Sequence, residues 1–472
     1  MFTSPTFLFL FFPAVAALYC LCPRRQKHAL LFVVSILFYS WGDPEGIAYL
    51  LCSIVLNFIF GILIERGSLG RRGWLTLILG IALNVGGLMY LKYAGFFVSS
   101  FNMFSSLQLS WTSVHIPLGI SFFTFHAISY LVDVWKKKRP PERSILKFGL
   151  YIAFFPQLLA GPIMRYEEFG TQLDALPPRL NLEDLHFGFQ RLVLGLGKKT
   201  LLADPLSLIA DPVFAVSPSM LSVQSAWMAL AAYALQIYFD FSAYSDIAIG
   251  LGRLFGFRLP ENFRTPYAAL SVTDFWRRWH MSLLSWLREY VYIPLGGSRI
   301  SPLRTGVNIM IVFTLSGLWH GSEWHFVFWG MYFGVLLATE KFFLEKWMQK
   351  APRLLRWMST IGLVLVGWVF FRSPTFASAL QYLVVLAGFP SGAETLPFPE
   401  RMWSALVLLS LGAVIVFIEH LIESSASKFR SGNHVHQCFL FAIADAGSFV
   451  VFLLSLGVIA SKTYHPFLYF QF

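Results

Sequence analysis

The chain has 472 residues, of which 56% are hydrophobic and 13% are charged, and its formal net charge is +11. Soluble globular proteins carry about 25% charged residues, so this composition excludes an ordinary soluble protein and indicates an integral membrane protein. The basic residues cluster in alternate loops between apolar segments, so the positive charge is a topology signal and does not indicate a nucleic-acid partner.

Apolar segments recur along the whole chain and predict membrane-associated helices. The loops after the first and third segments are basic, which predicts that these loops are cytoplasmic and that the amino terminus lies on the opposite side of the membrane. Several segments fall short of the roughly 20 residues that a crossing requires, so the regions around 145–203 and 251–305 are predicted to hold re-entrant or interfacial helices. The predicted segments are 5–22, 28–42, 46–64, 74–98, 115–135, 145–163, 187–203, 222–250, 306–319, 324–341, 354–371, 403–422 and 440–460.

Two carboxylates lie in the apolar segment 222–250. Gln236, Asp240 and Tyr244 are spaced four residues apart and share one face of the predicted helix, whereas Asp246 lies on another. Carboxylates in an apolar run must be paired, hydrogen-bonded or protonated. They predict either a structural polar network between helices or a group that orients a histidine.

The segment 271–292 is predicted to form one amphipathic helix. Ser271 and Asp274 have the spacing of a capping box, which marks the start of a helix. At helical spacing the aromatic residues form one stripe, Arg277, Arg278 and Arg288 lie opposite, and His280 falls at the border. Such a face binds either the phosphates of a nucleotide-bearing donor or those of membrane lipids.

A histidine interrupts a later apolar run, within Gly317-Leu318-Trp319-His320-Gly321. Ionisable groups within membrane segments mark functional sites by default. Because histidine titrates near neutrality, His320 could take and return a proton during acyl transfer. The alternative is a neutral imidazole that bridges two helices.

Several of these motifs together resemble the membrane-bound O-acyltransferase (MBOAT) family, and in particular its bacterial branch that acetylates alginate, cellulose or peptidoglycan. The resemblance covers about residues 1–375. It rests on Phe154–Pro162, Tyr238–Asp246, Glu261-Asn262-Phe263, Phe275–His280, Tyr292–Gly297 and Trp319-His320-Gly321.

The resemblance implies an all-α polytopic protein with a ring of about 11–13 transmembrane or re-entrant helices around a central funnel. We expect a single domain over 1–472, with core motifs in 115–345 and C-terminal helices in 354–472. His320 would be the principal catalytic residue and His280 the second. Asp240, Asp246, Trp319, Gln236 and Tyr244 would support them, and Arg277, Arg278 and Arg288 would hold acetyl-CoA.

The expected activity is transfer of acetyl from cytoplasmic acetyl-CoA across the bacterial inner membrane to an extracytoplasmic polysaccharide, with no metal ion. An alginate-like polymer is the first choice of acceptor, and cellulose or peptidoglycan the next. The resemblance also implies a periplasmic acetyltransferase-like partner of SGNH type. Because this chain carries no catalytic serine domain, that partner is expected to be a separate protein, and membrane lipid is expected as a further partner. The alternatives are D-alanyl transfer to teichoic acid, a transporter or flippase, and a non-catalytic export scaffold.

Overall fold

The structure is a computed structural model that describes residues 2–67, 70–175, 181–389, 402–429, 434–461 and 467–468. Within these ranges the regular structure is helical and contains no strand. The α-helices are α1 Phe12–Leu21, α2 Lys27–Gly42, α3 Ile47–Gly67, α4 Arg71–Leu88, α5 Ala94–Phe104, α6 Ile120–Trp135, α7 Ile145–Ala153, α8 Phe155–Leu158, α9 Tyr166–Asp174, α10 Leu182–Gly197, α11 Asp204–Phe214, α12 Val223–Leu254, α13 Val272–Arg278, α14 Met281–Leu287, α15 Pro302–His320, α16 Trp324–Thr339, α17 Glu345–Lys350, α18 Arg353–Arg372, α19 Phe376–Leu386, α20 Met402–Phe429 and α21 His434–Ser461.

Helices of membrane-spanning length confirm the polytopic all-α prediction. Five helical stretches in the described part of the chain are both long and apolar enough to cross a bilayer. Several further helices are apolar but shorter. The five stretches are Ile47–Gly67, Arg71–Phe104, Trp324–Leu344, Arg353–Arg372 and Trp403–Ser424.

The predicted segment 145–163 is not one helix. Helix α7 ends at Ala153, Phe154 adopts a non-helical conformation, and the single turn of α8 follows with Pro156 at its start. Proline has no backbone N–H, so Pro156 cannot make the hydrogen bond to the carbonyl of Ile152 that a continuation of α7 would need. The chain therefore changes direction at Phe154.

Five π-helical segments occur among the described residues, which is many for a helix type that is rare. Three of them carry charged residues that enter the description of the site below. They are Lys198–Ala203, Arg288–Tyr292 and Glu340–Leu344. A π-turn adds one residue to a helical turn, so it shifts the face on which the following side chains emerge.

The chain divides into two compact units, and the expectation of a single domain stays a prediction. The first unit comprises Met1–Leu192 and Ile247–Pro260. Its core is dense in aromatic rings: Phe38 contacts both Phe2 and Phe155, and Phe155 also contacts Phe255. These side chains are almost fully buried, so the unit is held by ring packing between helices.

A polar cluster within the first unit surrounds Asp43, in the loop between α2 and α3. Its carboxylate accepts hydrogen bonds from the backbone amides of Gly46 at 2.9 Å and Leu118 at 2.8 Å. Nε2 of His115 lies 2.7 Å from the same carboxylate. Burial alone would raise the pKa of Asp43, but these hydrogen bonds outweigh it and hold the pKa below its usual value.

The second unit comprises Val193–Asp246 and Glu261–Phe472. Helices α15 and α16 pack closely within it, because glycines face each other across the contact. A Cβ atom on Gly317 would lie 2.2 Å from the carbonyl oxygen of Phe326, and one on Gly330 would lie 2.2 Å from that of Phe313. Only glycine allows this approach, which sets the position of the residues that end α15.

Candidate active site

His320 is the last residue of α15, and aromatic rings surround its imidazole. Ring centroids of Trp319, Trp329 and Phe371 lie 4.8, 5.0 and 5.0 Å from that of His320. The side chain is only 6% exposed. The α15–α16 contact brings Trp329 to this point, and α18 supplies Phe371. The result is an imidazole held in a largely dry, aromatic environment.

His280 lies at a break between two short helices, which corrects the prediction of one continuous helix over 271–292. Helix α13 ends at Arg278, and α14 begins at Met281. Between them His280 adopts left-handed backbone, with φ of 46° and ψ of 49°. The position of His280 at the border of an aromatic stripe, predicted from an uninterrupted helix, is therefore wrong.

Backbone hydrogen bonds to a neighbouring loop explain the break. The amide of Met281 donates to the carbonyl of Asn262 at 3.0 Å, and the amide of Arg264 donates to the carbonyl of Arg278 at 2.9 Å. These contacts replace the helical bonds that a continuous helix would make. The capping box prediction is confirmed at its first bond, since the Ser271 hydroxyl accepts from the amide of Asp274.

The imidazole of His280 is 1% exposed and contacts the side chain of Asn262. Nδ1 of His280 lies 3.2 Å from Oδ1 of Asn262. The same oxygen accepts from the amide of Ser282 at 3.2 Å and from its hydroxyl at 2.9 Å. On the other side the amide nitrogen of Asn262 donates to Ser245 at 3.2 Å. The helix break thus seats His280 in a buried polar cluster.

Trp319 lies between the two histidines. Its ring centroid is 5.5 Å from that of His280 and 4.8 Å from that of His320. The structure therefore brings together His320, His280 and Trp319, which the sequence analysis placed in one site from motifs 40 residues apart.

A cavity of about 660 Å³ opens beside this group. Trp276 and Met281 form part of its wall, and Met281 is the residue that follows His280. Trp276 also contacts Trp329, one of the rings around His320. Four cationic side chains line the cavity, from three separate regions of the chain: Arg277, Arg288, Lys341 and Arg356.

Two of the three predicted arginines, Arg277 and Arg288, line this cavity. Arg278 is directed elsewhere: its Nε donates to Asp274 at 2.8 Å, and it is not among the lining residues. Arg356 and Lys341 were missed by the sequence analysis. Nothing in the local pattern distinguishes them from other basic residues at helix ends.

Glu340 is a further lining residue that the sequence analysis did not single out. It is 8% exposed, and its carboxylate accepts from the amides of Val272 at 2.8 Å and Thr273 at 3.2 Å. It therefore ties the end of α16 to the first turn of α13, the helix that carries Arg277.

The carboxylates of α12 have lysine partners. Asp240 lies 2.7 Å from Nζ of Lys199, and Asp246 lies 3.1 Å from Nζ of Lys198. Lys198 also pairs with Glu419 at 2.8 Å. The sequence left two interpretations open for these carboxylates: a structural polar network between helices, or a group that orients a histidine. The ion pairs form a network of the first kind. The proposed role of Asp240 or Asp246 in orienting His320 stays a prediction.

The other two supporting residues lie on the same helix. Gln236 is 4% exposed, and Tyr244 packs edge-on against Phe467 with ring centroids 5.3 Å apart. The sequence did hold a signal for the missed lysines, Lys198 and Lys199: adjacent cations in an apolar run require partners.

Within the described ranges, no cluster of three or more histidine, cysteine or acidic side chains could hold a metal ion.

Comparison with known proteins identifies the family. The model of the membrane-bound O-acyltransferase family matches residues 72–379, more than half of the chain. The chain belongs to the MBOAT family. It is thus an O-acyltransferase and a multi-pass membrane protein, as predicted.

Relatives with three different names match the chain. The chain is 35% identical to a probable alginate O-acetylase of Azotobacter vinelandii over the whole of both chains. It is 34% identical to a peptidoglycan O-acetyltransferase of Helicobacter pylori, over 82% of this chain and 80% of the relative. A teichoic acid D-alanyltransferase of Bacillus subtilis is 28% identical over 52% of this chain and 65% of its own.

Proposed function

We propose that this MBOAT protein takes an acetyl group from acetyl-CoA on the cytoplasmic side of the inner membrane and passes it towards a hydroxyl group of an extracytoplasmic polysaccharide. The observation that carries the proposal is the cationic cavity. Its wall includes Met281, which follows His280, and Trp276, whose ring contacts Trp329 beside His320.

The charges in the cavity suit a phosphate-bearing donor. Four cations face two lining carboxylates, and one of these, Glu340, already accepts backbone hydrogen bonds. Nε of Arg356 is buried and has no hydrogen-bond partner within the protein. A bound ligand with an acceptor oxygen would satisfy this donor. A volume of about 660 Å³ lies within the range of about 300–1,000 Å³ typical of small-molecule sites.

His320 would act as the base. Its neutral imidazole accepts the proton of the attacking hydroxyl while the hydroxyl oxygen bonds to the thioester carbonyl carbon. Collapse of the tetrahedral oxyanion then breaks the carbon–sulfur bond, and the imidazolium returns the proton to the leaving thiolate. One thioester and one alcohol become one ester and one thiol. The aromatic surroundings exclude water that would otherwise hydrolyse the thioester.

The first choice for the acceptor hydroxyl is that of an alginate-like polymer. Cellulose or peptidoglycan is the second choice. The names of the alginate O-acetylase and peptidoglycan O-acetyltransferase relatives, which match over most of the chain, support acetyl as the group and a polysaccharide as the acceptor. The shorter match to a D-alanyltransferase makes D-alanyl transfer the alternative. A periplasmic acetyltransferase of SGNH type would be the partner protein, and the amino terminus would be periplasmic.

Purified protein in lipid nanodiscs, incubated with acetyl-labelled acetyl-CoA and an alginate oligosaccharide, tests the proposal. We expect thiol release and labelled ester, and on the order of 10²–10⁴-fold slower transfer in His320→Ala. His325→Ala is the matched control, because His325 is an equally buried histidine five residues away. Thiol release that is unchanged in His320→Ala, or labelling only with a D-alanyl carrier protein, would exclude the proposal.

A further inference from the structure

Asn262 holds the imidazole of His280 in one tautomer, and this assignment follows from the hydrogen bonds around it. Asn262 is fully buried, at 0% exposure. Its Oδ1 faces Nδ1 of His280, the amide of Ser282 and the hydroxyl of Ser282 at 3.2, 3.2 and 2.9 Å. The direction of each bond depends on which end of the amide faces them.

The backbone amide of Ser282 decides the orientation of the Asn262 side chain. An N–H group can only donate, so the atom that it faces must be the carbonyl oxygen. The reversed amide would place two donors against each other in a buried site. The present orientation also lets Nδ2 of Asn262 donate to Ser245. Both ends of the amide are therefore matched in one orientation only.

The tautomer of His280 follows. A carbonyl oxygen can only accept, so Nδ1 of His280 must carry the proton that lies between it and Oδ1 of Asn262. The neutral ring then has its lone pair on Nε2. A neutral His280 in this state can accept a proton or a hydrogen bond through Nε2 but cannot donate one to a developing oxyanion.

We propose that Asn262 is a positioning residue that fixes His280 as the Nδ1–H tautomer, and so makes Nε2 of His280 a proton-accepting group of the acyl-transfer site. The functional half of this inference rests on the proposed function, whereas the tautomer does not. Two features hold His280 and Asn262 in position: the left-handed backbone of His280, and the hydrogen bond from the backbone N–H of Met281 to the backbone carbonyl of Asn262.

The tautomer is measured directly by ¹⁵N NMR of ¹⁵N-histidine-labelled protein in nanodiscs, through the couplings of each ring nitrogen to the ring C–H protons. The chain has 11 histidines, so the signals of His280 are assigned from the difference spectrum against His280→Asn. We expect a protonated Nδ1 and an unprotonated Nε2 near neutral pH. A protonated Nε2 on neutral His280 would overturn the proposal.

Three variants separate positioning from structural damage. Asn262→Asp keeps the accepting oxygen and should keep both the tautomer and activity within about 10-fold of wild type. Asn262→Leu removes it and should release the tautomer, with a fall in kcat on the order of 10²-fold and little change in the donor KM. Ser245→Ala leaves Oδ1 in place and should keep the Nδ1–H signal.

The outcomes distinguish this inference from the proposed function. An Nδ1–H signal in a protein that transfers no acetyl group would refute the function and leave the tautomer standing. Full activity of Asn262→Leu, or an unchanged Nδ1–H tautomer in that variant, would overturn the positioning role. If Asn262→Leu does not fold, the wild-type spectrum and the Asn262→Asp rescue decide.

Discussion

Nζ of Lys199 lies 2.7 Å from the carboxylate of Asp240, and both side chains are at most 4% exposed. Lys199 lies in the π-helical segment after α10, and Asp240 lies in the middle of α12. The backbone amide of Leu468 donates to the other carboxylate oxygen at 2.8 Å. The buried pair therefore joins three separate parts of the chain.

Removing one member of this pair should destabilise the protein strongly. Lys199→Met leaves an uncompensated carboxylate in the interior, at a cost of about 3–5 kcal/mol. The double variant Lys199→Met/Asp240→Leu removes both charges of this pair but leaves Asp204, the second partner of Lys199 at 2.8 Å, so it should recover part of that loss. Thermal unfolding in detergent measures both. A double variant no more stable than Lys199→Met would contradict the pairing.

The close contact between α15 and α16 predicts a steric effect. Gly330→Ala places a methyl group 2.2 Å from a backbone carbonyl that cannot move away. We expect a loss of about 1–3 kcal/mol and slower acyl transfer, because the same contact positions His320. Gly362→Ala is the control: apart from its chain neighbours and the adjacent backbone of its own helix, no atom lies within 4 Å of its added Cβ. It should leave stability unchanged or raise it by up to about 1 kcal/mol.

The cationic cavity predicts an effect on donor binding. Arg356→Ala should raise the KM for acetyl-CoA about 10-fold or more, because a charge-assisted hydrogen bond is lost, and should leave kcat nearly unchanged. Steady-state kinetics measure this. Arg353→Ala serves as control, since Arg353 lies one helical turn earlier and does not line the cavity. Equal changes in KM for the two variants would argue against phosphate binding here.

The pH dependence of stability should reflect Asp43. Its lowered pKa means that the ionised form stabilises the folded state above the unfolded pKa of about 3.9. This contribution is lost as the pH falls through the lower folded pKa. The melting temperature of Asp43→Asn should therefore lie below that of wild type at pH 7, with the difference shrinking below pH ~4. Glu45→Gln, at an exposed neighbour whose carboxylate lies 3.6 Å from the other ring nitrogen of His115, should change the melting temperature far less, because exposed ion pairs contribute little.

Much of the helical fold could be predicted from the sequence, because apolar runs and basic loops are local signals. The ends of α2, α6, α15 and α18 fall within a few residues of the predicted segments. The break at His280 could not be predicted in this way. Residues 271–292 read as one amphipathic helix, and the hydrogen bonds that interrupt it come from Asn262 and Arg264, outside that helix.

The same distinction holds for the candidate site. His320, His280, Arg277 and Arg288 were identified from motifs near them in the chain. Lys341 and Arg356 reach the cavity from later helices, and their contribution depends on how those helices pack. Lys198 and Lys199 carried a readable signal, but only the structure shows which carboxylate each one faces.

The backbone at His280 limits which substitutions there report on chemistry alone. At φ of 46° most side chains are strained, while glycine, asparagine and aspartate tolerate the conformation. An alanine scan would thus conflate a missing imidazole with a distorted chain. Glycine at this position instead removes the imidazole and tolerates the backbone conformation. His280→Gly is therefore the suitable variant in which to test whether added imidazole restores activity.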